Sequence, residues 1–84
     1  MSKIKINIRF FASVRDIVGE REKTLLLPED SRVDRVLKDL KKQYPQLSMM
    51  IDRSFVALNE EYAAHNTLLK EGDTLAIIPP VSGG

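Results

Sequence analysis

The sequence contains no cysteine and no tryptophan, and its only histidine is His65. Without a thiol, the chain cannot form a disulfide, ligate an iron–sulfur cluster or use cysteine as a nucleophile. A single histidine provides neither a zinc-binding pair nor the base of a nucleophilic dyad. We therefore expect no metal site and no cofactor bound by this chain, and we interpret His65 as a loop residue. The absence of cysteine also fits a reducing cytoplasm.

An excess of charge of one sign is also missing, because 13 basic residues balance 12 acidic residues and both kinds are spread along the chain. The resulting formal net charge of +1 does not favour a nucleic acid as partner. No segment approaches the roughly 20 apolar residues that a membrane span requires. The first residues alternate between polar and apolar, unlike a signal peptide. The sequence thus predicts a soluble cytoplasmic domain without a membrane partner.

Recognisable catalytic motifs are scarce as well. The internal glycines Gly19 and Gly72 are isolated, and neither opens a phosphate-binding loop. The adjacent carboxylates of Glu60 and Glu61 point apart in a strand or tight turn, which favours solvated turn charges over an acid–base pair. We therefore expect the chain to catalyse nothing unaided.

The residues that are present predict one small α+β domain spanning 1–84, since 43% of the chain is hydrophobic. Apolar residues alternate from Ile4 to Phe10, which predicts a strand with one buried face. Helical spacing from Val33 to Tyr44 predicts the main helix, with Ser31 as its N-cap and Pro45 beyond its end. We expect this helix to pack across one face of a mixed sheet.

Shorter patterns predict the other elements. They are a helical turn over 12–18 capped by Gly19, a strand over 25–27 ended by Pro28, a loop with an apolar insert over 46–54, two brief strands at 55–58 and 62–63, core positions at Leu68 and Leu69, a turn at Gly72, and a last strand over 74–78.

The last residues, Pro79-Pro80-Val81-Ser82-Gly83-Gly84, predict a flexible extended arm over 79–84. Its glycines lack side chains, so they can enter a channel that is too narrow for other residues. Fully extended, these six residues reach at most roughly 20 Å, and the prolines stiffen the base of the arm. The arm would deliver the terminal carboxylate of Gly84, whose ordinary pKa of about 3.3–3.7 makes it an unreactive anion until it is activated. A frayed terminus is the alternative.

Delivery of the arm into another protein would require a docking surface. If Phe10 and Ile77 face the core, then strand alternation turns Phe11 and Ile78 towards solvent. Together with Tyr62, these residues would form an apolar patch at the root of the arm. The alternative is that the short helix after the first strand covers Phe11.

Four segments of this sequence together resemble a known family. They are Phe10-Phe11-Ala12-Ser13-Val14-Arg15-Asp16-Ile17-Val18-Gly19, Ala57-Leu58-Asn59-Glu60-Glu61, Leu69-Lys70-Glu71-Gly72-Asp73 and the six-residue arm. The chain is similar over its full length to the small, sulfur-carrier subunits of molybdopterin synthase. The most specific segments are Phe-Phe-Ala followed by Val-Gly, and the Pro-Pro-Val-Ser-Gly-Gly end.

This resemblance implies a β-grasp, ubiquitin-like fold and a role in molybdenum cofactor biosynthesis. An activating enzyme akin to ubiquitin-activating enzymes would use ATP to adenylate Gly84, and a sulfur donor would convert it to a thiocarboxylate. The arm would then enter the large synthase subunit, within a heterotetramer, and donate sulfur to cyclic pyranopterin monophosphate. The family's interface positions correspond to Phe11, Tyr62 and Ile78. Relatives often carry aromatic residues before the prolines, where this chain has Ile77 and Ile78.

Other functions remain open from the sequence. A related sulfur carrier could serve thiamine thiazole or tungsten cofactor synthesis, although the Pro-Pro-Val-Ser segment argues against the thiazole carrier. A protein modifier would link Gly84 to lysines of its targets, as ubiquitin does. A binding module with idle glycines would need neither reaction.

Overall fold

The computed structural model describes residues 2–80. Its strands are β1 (Lys3–Phe10), β2 (Glu22–Pro28), β3 (Phe55–Leu58), β4 (Glu61–Tyr62) and β5 (Thr74–Ile78). Its α-helices are α1 (Ala12–Val18), α2 (Val33–Gln43) and α3 (Ser48–Arg53), and a 3-10 turn at Pro45–Leu47 leads into α3. The predicted order of strands and main helix is therefore confirmed.

Within residues 2–80, the five strands form one mixed sheet in the order β2-β1-β5-β3-β4. The two central strands, β1 and β5, run parallel, with Phe10 opposite Ile77, and every other pair is antiparallel. One face of β1 is buried through Ile4, Ile6, Ile8 and Phe10, as the alternation predicts. The opposite face of the sheet is open, so one side of this domain carries the core and the other remains available.

The core lies between the sheet and α2, whose apolar stripe of Val33, Val36, Leu37 and Leu40 is buried. The prediction that Ser31 caps this helix is wrong. The N-cap residue is Arg32, and the Ser31 hydroxyl instead donates a hydrogen bond to the Pro28 carbonyl at 2.6 Å. The first helical amides find tertiary partners, because those of Val33 and Asp34 donate to the carbonyls of Thr67 and His65.

The predicted loop over 46–54 is also wrong. Pro45 ends α2 but begins the 3-10 turn, where a missing amide hydrogen has no cost. Leu47 and Ile51 are four residues apart, so both point into the core and are buried. Met49 projects away from the core and is exposed. Of the two predicted core leucines in the loop before β5, Leu69 is buried, but Leu68 is 39% exposed, so the prediction is wrong for Leu68.

The hairpin between β3 and β4 turns through Asn59 and Glu60, whose φ angles are +51° and +72°. Two successive positive φ angles define a type I′ turn, which suits asparagine first and glycine second. The Asn59 side chain also binds the start of β5, since its Nδ2 donates to Asp73 and its Oδ1 accepts the Thr74 amide at 3.0 Å. Glu60 occupies the left-handed region without such compensation among the described residues.

Glu60→Gly should therefore raise the free energy of unfolding by about 0.5–1 kcal/mol, because glycine adopts the required φ without steric cost. Asn59→Gly is the matched control, since it also suits the turn but removes two hydrogen bonds and should lower stability by about 1 kcal/mol. Urea denaturation of both variants measures the two values. A loss of stability in Glu60→Gly would contradict the assignment of the turn.

In the portion of the chain that the structure describes, no helix is long and apolar enough to cross a membrane.

A mixed five-stranded sheet with α2 packed across one face is the β-grasp arrangement. The fold implied by the resemblance is thereby confirmed.

Candidate functional site

The root of the arm is held in the centre of the sheet. Strand β5 lies between β1 and β3, with Ile77 opposite both Phe10 and Val56. The next residue but one, Pro79, is buried, whereas Pro80 is exposed. Because strands pair with β5 on both sides, the sheet fixes the direction of β5 up to Ile78.

Burial of Pro79 shortens the arm that the sequence predicts. The free part can begin no earlier than Pro80, so it contains at most five residues and reaches roughly 17 Å when extended. Periodicity in the sequence does not distinguish the two prolines, because it does not reveal where the last contact of a strand lies. The other predicted arm residues, Val81, Ser82, Gly83 and Gly84, lie outside the described residues.

Beside this root, the open face of the sheet carries an elongated groove of about 690 Å³. Phe11, Tyr62 and Ile78 all line it, together with the small side chains of Ala57 and Ala76 on neighbouring strands. The structure thus brings the three residues predicted from strand alternation into one surface, on three different elements. Their role in partner binding stays a prediction.

Phe11 lies at the edge of the sheet where β1 and β5 both end. The chain turns sharply after it, because Ala12 adopts a positive φ of +51° as α1 begins. The Phe11 ring is 37% exposed and packs beneath the Arg9 guanidinium, whose carbon lies 5.3 Å from the ring centroid. Helix α1 therefore leaves the ring accessible, and it contributes Val14 to the core instead.

Tyr62 has an aromatic neighbour, Phe55, that is not part of the predicted patch. Phe55 is opposite Ile78 in the sheet, and its ring lies edge-on to Tyr62 with the centroids 5.9 Å apart. Both side chains are mostly exposed, at 60% and 79%. Two exposed aromatic rings in contact are unusual on a monomer and typical of an interface centre. Strand alternation could have identified Phe55 as an exposed aromatic residue, since it is adjacent to Val56 and only Val56 is buried.

The remaining groove residues are polar. Asn7, Thr74, Asn59 and Glu60 form the end away from the arm, and Arg9 and Glu22 line the side nearest β2. The groove thus combines apolar residues next to the arm with polar residues around them, and interfaces between proteins likewise combine an apolar core with a polar rim. His65 is exposed in the loop before β5, as predicted, and its carbonyl serves α2.

Comparison with known proteins supports the fold described above and adds information on the family. Residues 8–84 match the profile of the ThiS family. A molybdopterin synthase sulfur carrier subunit of Arabidopsis thaliana is 36% identical, over 99% of this chain and 86% of its own length.

The solved structures that are similar in fold include the following two. Small archaeal modifier protein 1 of Methanosarcina acetivorans has a TM-score of 0.84 and 26% identity, with complete coverage of both chains. A ubiquitin from Caldiarchaeum subterraneum has a TM-score of 0.68 and 16% identity, covering 99% of this chain and 100% of its own, which shows the ubiquitin-like fold alone. On the family profile and the whole-length relative together, the chain belongs to the ThiS family of ubiquitin-like proteins.

Proposed function

We propose that this protein is a sulfur carrier for molybdenum cofactor biosynthesis, acting as the small subunit of a molybdopterin synthase. The main support is a whole-length relative that is named for that role. The geometry is consistent with it, because the arm leaves a rigid central strand beside an accessible apolar groove. The chain also lacks cysteine, so a carried sulfur atom would need another site.

The proposed site is the carboxylate of Gly84. In the first step, a carboxylate oxygen attacks the α-phosphate of ATP on an activating enzyme and displaces pyrophosphate. A donor of sulfide-level sulfur then attacks the Gly84 carbonyl carbon, AMP leaves, and the sulfur remains on Gly84 as a thiocarboxylate. Every atom used on this chain belongs to the backbone, which suits a sequence without a catalytic side-chain set.

In the second stage, the arm with its thiocarboxylate enters a large synthase subunit, and its sulfur is transferred to cyclic pyranopterin monophosphate. Water restores the Gly84 carboxylate, so the carrier can be adenylated again. The groove residues Phe11, Tyr62 and Ile78 would hold the large subunit in place, which makes the transfer effectively intramolecular. The catalytic side chains would belong to that subunit.

Complementation of a strain that lacks its own small subunit tests this function. Expression of this chain together with its cognate large subunit should restore molybdoenzyme activity, such as nitrate reduction. A version without Gly83-Gly84 should restore none, although it should accumulate to the same level. Equal restoration by both versions would contradict the proposal and would favour a binding module with idle glycines.

A protein modifier is the second candidate, because a small archaeal modifier protein is similar in structure over its whole length. That function would join Gly84 to lysines of target proteins rather than to sulfur. Immunoblots of cell extract would then display a ladder of conjugates that disappears when Gly84 is removed. Cofactor synthesis without a ladder supports the carrier, and a ladder without cofactor synthesis supports the modifier.

A further inference from the structure

A second cavity, of about 490 Å³, adjoins the groove on the side of β2 and is lined by three arginines. Arg9 comes from β1, Arg15 from α1 and Arg21 from the turn that precedes β2. Glu22 is the acidic residue that lines the same cavity. We call this feature the arginine cleft.

The backbone holds these arginines in place. The Arg21 carbonyl accepts a hydrogen bond from the Phe10 amide at 2.9 Å, and the Arg15 carbonyl accepts one from the Gly19 amide at 2.8 Å. Gly19 closes α1 with a φ of +84°, which turns the chain back towards β1. Three arginines and one glutamate line this cavity, so its lining carries an excess of positive charge that would attract an anion bound there.

The guanidinium donors remain available for such an anion. Within residues 2–80, no side-chain hydrogen bond involves Arg9, Arg15 or Arg21. The Arg9 Nε lies 3.6 Å from the nearer Glu22 oxygen, which reduces the local charge but exceeds hydrogen-bond distance. Arg9 is also held against the Phe11 ring, so its orientation is partly set before a ligand arrives.

The size of the positive surface limits the class of ligand. Arg15 and Arg21 also line a further shallow cavity, and its other lining residues are Asp16, Gly19 and Glu20. A long polyanion such as nucleic acid would therefore meet negative charge as soon as it left the cleft. One or two carboxylates fit better, since a guanidinium binds a carboxylate through two parallel hydrogen bonds.

The cleft is continuous with the proposed docking groove, because Arg9, Phe11 and Glu22 line both. We propose that the arginine cleft receives an acidic segment of the large synthase subunit that covers the groove. This inference rests on the proposed function. The apolar groove would supply most of the affinity, and the cleft would fix the orientation of the partner and accelerate association.

Charge reversal at Arg21 tests the proposal, since Arg21 lines the cleft but not the groove. Isothermal titration calorimetry of the full chain with its cognate large subunit should give an affinity at least about tenfold lower for Arg21→Glu at low salt. The difference should shrink as salt screens the charges. The affinity of Arg21→Lys should lie between those of the unsubstituted chain and of Arg21→Glu, because lysine keeps the charge but loses the paired donors.

Lys38→Glu is the matched control, because it makes the same charge change on the outer face of α2, across the sheet from the cleft. It should change the affinity less than about twofold. Thermal melting of each variant establishes that the fold is unchanged. Equal affinities of Arg21→Glu and Lys38→Glu would overturn the cleft proposal while leaving the sulfur-carrier function intact. Failure of the unsubstituted chain to bind the large subunit would instead count against the proposed function itself.

Discussion

Adding a single alanine after Gly84 is expected to reduce the rate at which the activating enzyme adenylates the chain by more than about a hundredfold, while the melting temperature of the chain stays the same. The added residue moves the terminal carboxylate by up to about 3.5 Å and places it on a residue with a side chain. Activation consumes that carboxylate, so a displaced or altered terminus cannot reach the α-phosphate of ATP. The fold should be unaffected, because the last buried residue of the described chain is Pro79.

Pyrophosphate release in the presence of the activating enzyme measures this effect directly. The best control is a longer extension that a protease removes to regenerate Gly84, since cleavage should restore charging in the same sample. Normal charging of the extended chain would show that the terminal carboxylate is not the reactive group. Charging that stays absent after cleavage would mean that the extension had damaged the domain.

Replacing Ile78 with aspartate should weaken binding of the large subunit at least about 30-fold, which corresponds to about 2 kcal/mol. Ile78 is half-buried, lines the groove at the root of the arm and lies opposite Phe55 in the sheet. Aspartate would remove apolar contact area and force an unpaired charge into the interface. Tyr62→Asp should have a similar effect with little change in stability, because Tyr62 is 79% exposed in the free chain.

Leu26→Asp provides the matched control for both substitutions. Leu26 on β2 is 63% exposed on the same face of the sheet, opposite Lys5 of β1, but it does not line the groove. Its replacement should leave the affinity within about twofold. If Leu26→Asp weakened binding as much as Ile78→Asp, the docking surface would extend over the whole sheet face. Unchanged affinity in Ile78→Asp would remove this residue from the interface.

The sequence predicted those parts of the fold that repeat with a clear period. Alternation from Ile4 to Phe10 and helical spacing from Val33 to Leu40 each marked one buried face. The same alternation placed Phe11 and Ile78 on the opposite side of the sheet, which is how the groove could be anticipated before its shape was known.

The errors arose where distant residues decide the local structure. Ser31 has the chemistry of an N-cap, but its hydroxyl bonds Pro28, and carbonyls more than 30 residues along the chain serve the first helical amides. Pro45 was taken only as the end of a helix, although a proline also suits the start of the next one. The arginine cleft was missed for the same reason, because a turn, a helix and a strand contribute one residue each.

The central claim is that Gly84 carries sulfur, and the intact mass of the protein tests it most directly. After incubation with ATP, a sulfur donor and the cognate activating enzyme, the mass should rise by the difference between a sulfur and an oxygen atom. Fragmentation should place the change in the C-terminal peptide, and omission of ATP should prevent it. An unchanged mass under conditions in which the activating enzyme is active, or a change located on any other residue, would contradict the account.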